Sequence, residues 1–285
     1  MIDLHTHTTA SDGRCTPGDL VARAAANGVT VLAVTDHDTV AGCDAVAAAC
    51  AAAGLAFVPG IEITAVQDAS DVHVLGYFFD RESPALRRFL SEQRHRRIER
   101  VHEIVDRLAA LGMPLDAETI LQPAVDDPSR SAGRPWVARA LVSAGHVKTI
   151  NMAFELWLSR GRPAFVPRLA ASPAEVFERI HEAGGIASMA HPGLLRRDQW
   201  LAGFAEAGVD ALEAYHIDHD LDTSARYCRM ARDLNVSVSG GSDFHGDESH
   251  GATQPGRTSL PLADYDRLVR RAASRAMASG SDTSS

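Results

Sequence analysis

The segment IDLHTHTTASDGRCTPGDLVARAAANGVTVLAV, residues 2–34, decides the fold class. Thr16, Pro17 and Asp19 are the residue types of a helix N-cap, first position and third position, and Gly28 supplies the stop. The apolar run 29–34 that follows is a buried strand, so with Ile2 and Leu4 ahead of it the segment spells a βαβ unit. Between the first strand and the helix lie His5, His7 and, in a turn, Asp12. A strand period of two points both histidines to one face, which puts three groups able to hold a metal at one strand end.

Outward from there the rhythm continues. Residues 39–53 read as a second helix ended by Gly54, and 55–64 as the next strand, the order of an α/β barrel or an open sheet. Only residues 65–71 separate this strand from the one at 72–79, and a parallel crossover needs about a dozen or more. The two strands are therefore expected to run antiparallel, bringing Glu62 and His73 to one rim. Ser83 and Pro84 open a long arginine-rich helix to Leu111, and the text stays helical to Pro167, with pieces at 134–144 and 151–159 separated by loops such as 122–133. Ser172, Pro173 and Glu175 then cap a helix ending at Gly184. Strands at 186–190, 211–215 and 236–239 follow, with helices at 221–234 and 261–277. The expected organisation is a discontinuous α/β body, 1–80 and 169–277, with an inserted helical substrate-capping subdomain at 81–168 and a disordered tail at 278–285.

No run approaches the roughly 18 apolar residues of a membrane helix, and no basic leader precedes the first strand, so a cytoplasmic protein with no membrane partner is expected. Cys15, Cys43, Cys50 and Cys228 lack metal or redox spacing and read as free thiols. A net charge of −9 argues against a general nucleic-acid binder, yet the charge is uneven. Residues 81–168 hold fifteen basic against ten acidic side chains, whereas the rest holds thirteen against twenty-seven. An acidic body with a basic insert suits a metal cup capped by groups that hold an anion.

Each strand ends, or in one case begins, with a group able to bind a metal: His5 and His7, then Asp36, His37 and Asp38, then Glu62, His73, His191, His216, and last Asp243 with His245. In a closed barrel the strand ends converge on one mouth, where catalytic groups collect. Carboxylate oxygens and imidazole nitrogens without a thiolate point to Zn, Mn or Fe(II). Roughly nine candidates at four to six ligands per ion suggest two or three divalent metal ions, with Glu62 shared between them. Paired ions generate a hydroxide and offset the charge of phosphoryl transfer, so hydrolysis is the expected chemistry.

Taken in order, His5-Thr6-His7-Thr8 with Ser11-Asp12-Gly13, Thr35-Asp36-His37-Asp38, Gly60-Ile61-Glu62, His73, Ala190-His191-Pro192 and Ser242-Asp243-Phe244-His245 resemble the motifs of the polymerase and histidinol phosphatase (PHP) family. The resemblance covers roughly residues 1–80 and 169–250. It implies a distorted (β/α)7 barrel, amidohydrolase-like, with a trinuclear centre, manganese ahead of zinc or iron, and phosphoesterase activity. It assigns His5, His7, Glu62 and Asp243 to one ion, Asp12, His37 and His245 to a second, and Glu62, His73 and His191 to a third. Asp36 and Asp38 would orient imidazoles. Catalytic roles fall to His191, His216 and Asp243.

Within the insert, Ser131-Ala132-Gly133-Arg134-Pro135, His146-Val147-Lys148 and Arg160-Gly161-Arg162-Pro163 resemble PHP phosphatases that act on nucleotides, including bisphosphorylated ones and RNA 5′ ends. Ser131, Arg134, Arg160 and Lys148, the only lysine in the chain, are expected to contact substrate, together with His216 and His219. Arg134 stands at a helix start, where backbone N–H groups and a guanidinium together favour a phosphate. Arg94, Arg96, Arg97 and Arg100 are expected on a solvated face. The expected activity removes the 3′-phosphate of nucleoside 3′,5′-bisphosphates, leaving the nucleoside 5′-phosphate. Its rivals are 5′-to-3′ exoribonuclease or phosphodiesterase action on short oligonucleotides, histidinol phosphate hydrolysis, and a catalytically idle nucleotide sensor. No stable protein partner is expected.

Overall fold

The computed structural model describes residues 1–126, 130, 132–246 and 251–281. Ser131, expected to touch substrate, lies outside the described residues, as does the end of the expected tail, 282–285. The chain forms two compact units, Met1–Phe89 with Ala171–Ser285, and Leu90–Ala170. The first division falls later than the expected one, inside the continuous helix Pro84–Ala110.

The first unit is built on seven strands that neighbour one another in sequence order: β1 (Ile2–Asp3), β2 (Val31–Val34), β3 (Ala56–Gln67), β4 (Ser70–Tyr77), β5 (Ile186–Met189), β6 (Ala211–Tyr215) and β7 (Ser237–Gly240). Pairs are parallel except those of β4, which is antiparallel to both β3 and β5. The residues after β7 return to those after β1: Leu4 N–H donates to Gly240 O at 3.2 Å, His7 N–H to Phe244 O at 2.9 Å, and Thr6 bridges Phe244 in parallel. The sheet is thus a nearly closed barrel, the expected distorted (β/α)7 form.

β3 and β4 run antiparallel, as the short connection demands. Their turn, Asp68 and Ala69, has positive φ at both positions, the mirror-image turn that matches strand twist. This hairpin extends past the rim, so Glu62 and His73 lie within their strands instead of at strand ends, two rungs apart on the ladder. Outside the strands, Thr16 caps the helix Pro17–Ala26, and Ser172 with Glu175 forms a complete capping box on Pro173–Glu182. Leu20, Val21 and Ala24 pack with Leu32, Val46, Cys50 and Phe244 in one buried cluster. Each large side chain of this kind stabilises the fold by about 1.5–3 kcal/mol. The last helix, Leu262–Ser281, runs beyond its expected end at 277. The four cysteines are free thiols, and no described helix is long and apolar enough to cross a membrane.

The second unit is helical around a core of Ile104, Leu108, Leu121, Val137, Leu141 and Leu158. Residues 122–126, expected in a loop, belong to the helix Ala117–Asp126, whose buried Leu121 and Ala124 outweigh the disfavoured Pro123. The expected solvated arginine face is also corrected. Arg94 donates to Ala124 O at 2.5 Å, Arg97 to Ala132 O at 3.3 Å, and buried Arg100 gives two N–H groups to Val166 O at 2.9 and 2.8 Å. Three of the four tie the long helix to neighbouring backbone, and Arg96 alone stays exposed.

Candidate metal centre

Glu62 is the hub. It is 1% exposed, and five imidazoles surround its carboxylate: His5 and His7 Nε2 each at 3.3 Å and His37 Nδ1 at 3.2 Å from Oε2, His73 Nδ1 at 2.8 Å and His191 Nε2 at 3.1 Å from Oε1. Asp243 Oδ1 faces the same two rings from the other side, 3.2 Å from His5 Nε2 and 3.1 Å from His7 Nε2. Asp12 lies 3.6 Å from His37 Nε2 and 3.4 Å from His245 Nε2. Possible ligand atoms gather within 4.8 Å of one another in four groups: His5, His7, Glu62 and Asp243; His7, Asp12, His37 and His245; His37, Glu62 and His73; and His5, Glu213 and His216.

Two observations show that these residues fit divalent metals. Among the described residues, neither ring nitrogen of the fully buried His7 makes a well-aligned hydrogen bond, although Nε2 faces the Glu62 and Asp243 carboxylates, a costly arrangement that a cation between these groups would relieve. Imidazoles also crowd together, with His7 and His245 ring centroids 4.0 Å apart and His7 and His37 4.8 Å apart. Electrostatics agree. Burial pushes the Glu62 and Asp243 carboxyls up, but the surrounding histidines outweigh it and hold both well below the usual range, so they are ionised at neutral pH. Burial lowers His37 to about 3, leaving a neutral imidazole with a lone pair.

The backbone is strained where ligands are presented. His191 has φ 26° and Asp243 φ 53°, left-handed conformations that cost about 1–3 kcal/mol for such residues. Two buried carboxylates that the sequence reading missed hold them in place. Glu213 accepts His191 N–H at 2.7 Å and bonds His5 Nδ1 at 2.9 Å, fixing the ring that faces Glu62. Asp3 accepts from Ser242 N–H at 2.9 Å, Ser242 O–H at 2.6 Å, Gly256 N–H at 2.7 Å and His5 N–H at 3.3 Å. An acid in the middle of an apolar strand, Ile2-Asp3-Leu4 or Leu212-Glu213-Ala214, was the available signal.

Other expectations change. Among the described residues Asp36 holds no imidazole ring by hydrogen bond; it accepts Thr8 N–H, Thr8 O–H and Ser11 O–H at 2.7–2.8 Å, and so shapes the turn leading to Asp12. Asp38 accepts Thr64 N–H at 2.8 Å, which steadies β3 beside Glu62. His216 Nε2 lies 3.3 Å from Asp243 Oδ2, and its side chain is fully covered. His219, expected to meet substrate, has both ring nitrogens engaged with backbone, Nδ1 with Ala214 O at 3.0 Å and Nε2 with Gly193 N–H at 3.2 Å. It therefore clamps the His191-Pro192-Gly193 turn to the end of β6. A Cβ added at Gly193 would lie 2.6 Å from His219 Nε2. We expect Gly193→Ala to push the His191 turn off the clamp and to weaken metal affinity by about 10–100-fold, read by metal titration, while the fold persists; unchanged affinity would refute the clamp.

In the second unit, Arg134 opens the helix Arg134–Ser143 after Gly133. Its guanidinium lies 5.9 Å from the Phe154 and Phe165 ring centroids and donates to Leu158 O at 3.4 Å. Lys148 and Arg160 are exposed.

The chain matches the family model described as "PHP domain" over residues 3–119. It is 36% identical over 250 residues to a 5′-3′ exoribonuclease of Haemophilus influenzae, spanning 85% of this chain and 89% of that protein. It is 34% identical over 249 residues to a 3′,5′-nucleoside bisphosphate phosphatase of Chromobacterium violaceum, spanning 86% and 87%. A solved structure from Bifidobacterium adolescentis, described as a metal-dependent phosphoesterase, superposes with a TM-score of 0.81 at 31% identity over 94% of this chain and 95% of that one. With its barrel, its convergent histidines and carboxylates and these likenesses together, the chain belongs to the PHP family and is a metal-dependent hydrolase of phosphoric esters.

Proposed function

We propose that the chain removes the 3′-phosphate of nucleoside 3′,5′-bisphosphates, giving the nucleoside 5′-phosphate and inorganic phosphate. The observation that carries this reading is the likeness, over 86% of the chain, to a phosphatase named for that substrate. Two or three divalent ions, with manganese first, would be held by His5, His7, Glu62 and Asp243, by Asp12, His37 and His245, and by Glu62 with His73 and His191. Such ions, when bound, lower the pKa of water and offset charge on the transferring phosphoryl group. The protein's part is to hold this constellation rigid and ionised. Glu62 and Asp243 stay unprotonated at neutral pH, and Glu213 keeps His5 in one ring orientation. We assign His216 to orienting Asp243, whose Oδ2 lies 3.3 Å from its Nε2. On sequence grounds, Arg134, Lys148, Arg160 and Ser131 are assigned to the 5′-phosphate.

The alternative is 5′-to-3′ exoribonuclease action, which the 36% identity to the Haemophilus influenzae enzyme favours. Steady-state rates on a 3′,5′-bisphosphate, a simple monoester and a short 5′-phosphorylated oligoribonucleotide separate the two. We expect kcat/KM to be highest on the bisphosphate. Arg134→Ala should lower it there by about 10–100-fold, the worth of one charged hydrogen-bonding group, and leave the simple monoester unaffected. A preference for the oligonucleotide would support the alternative, and an equal loss on bisphosphate and monoester would refute the role of Arg134.

A further inference from the structure

The N-terminal ends of β6 and β7 lie at the opposite strand ends from His216 and Asp243, roughly 15 Å away at about 3.3 Å per residue. Beside them is a cavity of about 660 Å³, lined by Arg267, Arg270, Arg271 and Arg275 of the last helix with Ser237 and Asp210. All belong to the first unit. The four arginines fall within nine positions, and no acidic residue occurs between Asp266 and Asp282. Their spacing puts them on neighbouring turns of one helix face.

Asp210 is 1% exposed and fully committed. It bonds Ala187 N–H at 3.0 Å, His181 Nε2 at 2.7 Å, Arg271 Nε at 3.2 Å, and Arg275 Nε and Nη2 at 3.1 and 2.7 Å. Arg271 Nη1 also donates to Asn235 O at 3.0 Å. Two guanidinium groups are thereby locked against the cavity wall. Arg267 reaches Asp264 at 2.7 Å, and Arg270 makes no ion pair with a described residue. Asp210 and Asp264 between them engage three of the four guanidiniums, which still leaves a net positive patch in a body that is otherwise acidic. The metal centre does not use these groups.

We propose that this cavity is a second binding site, for the phosphate or pyrophosphate group of a small molecule. The depression is open to solvent, and its volume of about 660 Å³ leaves room for a phosphate or pyrophosphate group. Guanidinium forks match phosphate oxygens in pairs, the two locked arginines need little ordering on binding, and the Ser237 hydroxyl adds a neutral donor.

The test is calorimetric titration of the metal-depleted full-length protein with pyrophosphate at constant ionic strength, in the wild type, Arg267→Ala/Arg270→Ala and Asp243→Ala. Both arginines are exposed, so the double variant should fold, with turnover of the metal-loaded form within about twofold of wild type. The double variant should bind pyrophosphate at least about tenfold more weakly, while Asp243→Ala binds it as the wild type does. Repeating the titration with a nucleoside diphosphate distinguishes a nucleotide, bound more tightly than pyrophosphate, from the phosphate group alone, bound equally. The proposal is overturned if the wild type shows no binding, if the double variant matches it, or if the heat vanishes in Asp243→Ala and so belongs to the metal centre.

Discussion

Glu62→Gln should reduce turnover on every phosphoester by roughly 10³-fold or more. The reason is its position. Five histidines lie within 3.3 Å of its two oxygens, and it is the only carboxylate that belongs to two of the gathered ligand groups among the described residues. Glutamine keeps the shape but removes the charge and turns one oxygen into a donor, which repels a cation and offers hydrogen to nitrogens that should carry lone pairs. The loss should be substrate-independent, unlike that of Arg134→Ala, and should be matched by loss of bound metal. Turnover within about tenfold of wild type with full metal content would show that Glu62 is only a buried hydrogen-bond acceptor.

Asp3→Ala should cost on the order of 3–5 kcal/mol of folding stability, read as a lower denaturation midpoint of the metal-free protein. Asp3 is fully buried and burial raises its pKa, yet four donors converge on it from the chain after β1, from Ser242 beside Asp243, and from Gly256. Removing the carboxylate leaves those donors buried without acceptors, each costing about 1–3 kcal/mol before water relieves part of it. It also frees the junction where β7 closes on β1 and where Asp243 takes its left-handed backbone. A loss below about 1 kcal/mol would mean that the closure is held by strand pairing alone.

The barrel was legible because local rules carried it. The capped helix after Thr16, the seven-residue connection at 65–71 and the capping box at Ser172 each dictate an element or a direction, and strand order followed. The gathering of His5, His7, Glu62, His73, His191 and Asp243 was legible for the same reason, since strand period and strand direction set the rim. What escaped were side chains whose role depends on partners distant in sequence. Glu213 stands in an apolar strand, and its partners, His5 and the His191 amide, lie 208 and 22 residues away in sequence. His219 follows a strand as His216 does, and only the fold reveals that Ala214 and Gly193 occupy both its nitrogens. Arg100 looked like a surface cation because its acceptor, Val166 O, is sixty-six residues away.

We propose a centre of several ions that hydrolyses phosphoric esters. Its most direct test strips the protein with a chelator, reloads it with Mn, and measures bound metal per chain alongside phosphate release from a nucleoside 3′,5′-bisphosphate. Stripped protein should release no phosphate, and recovery should saturate at two or three ions per chain, as the ligand groups allow. Phosphate release that survives complete metal removal, or full activity at a single ion per chain, would contradict the proposal.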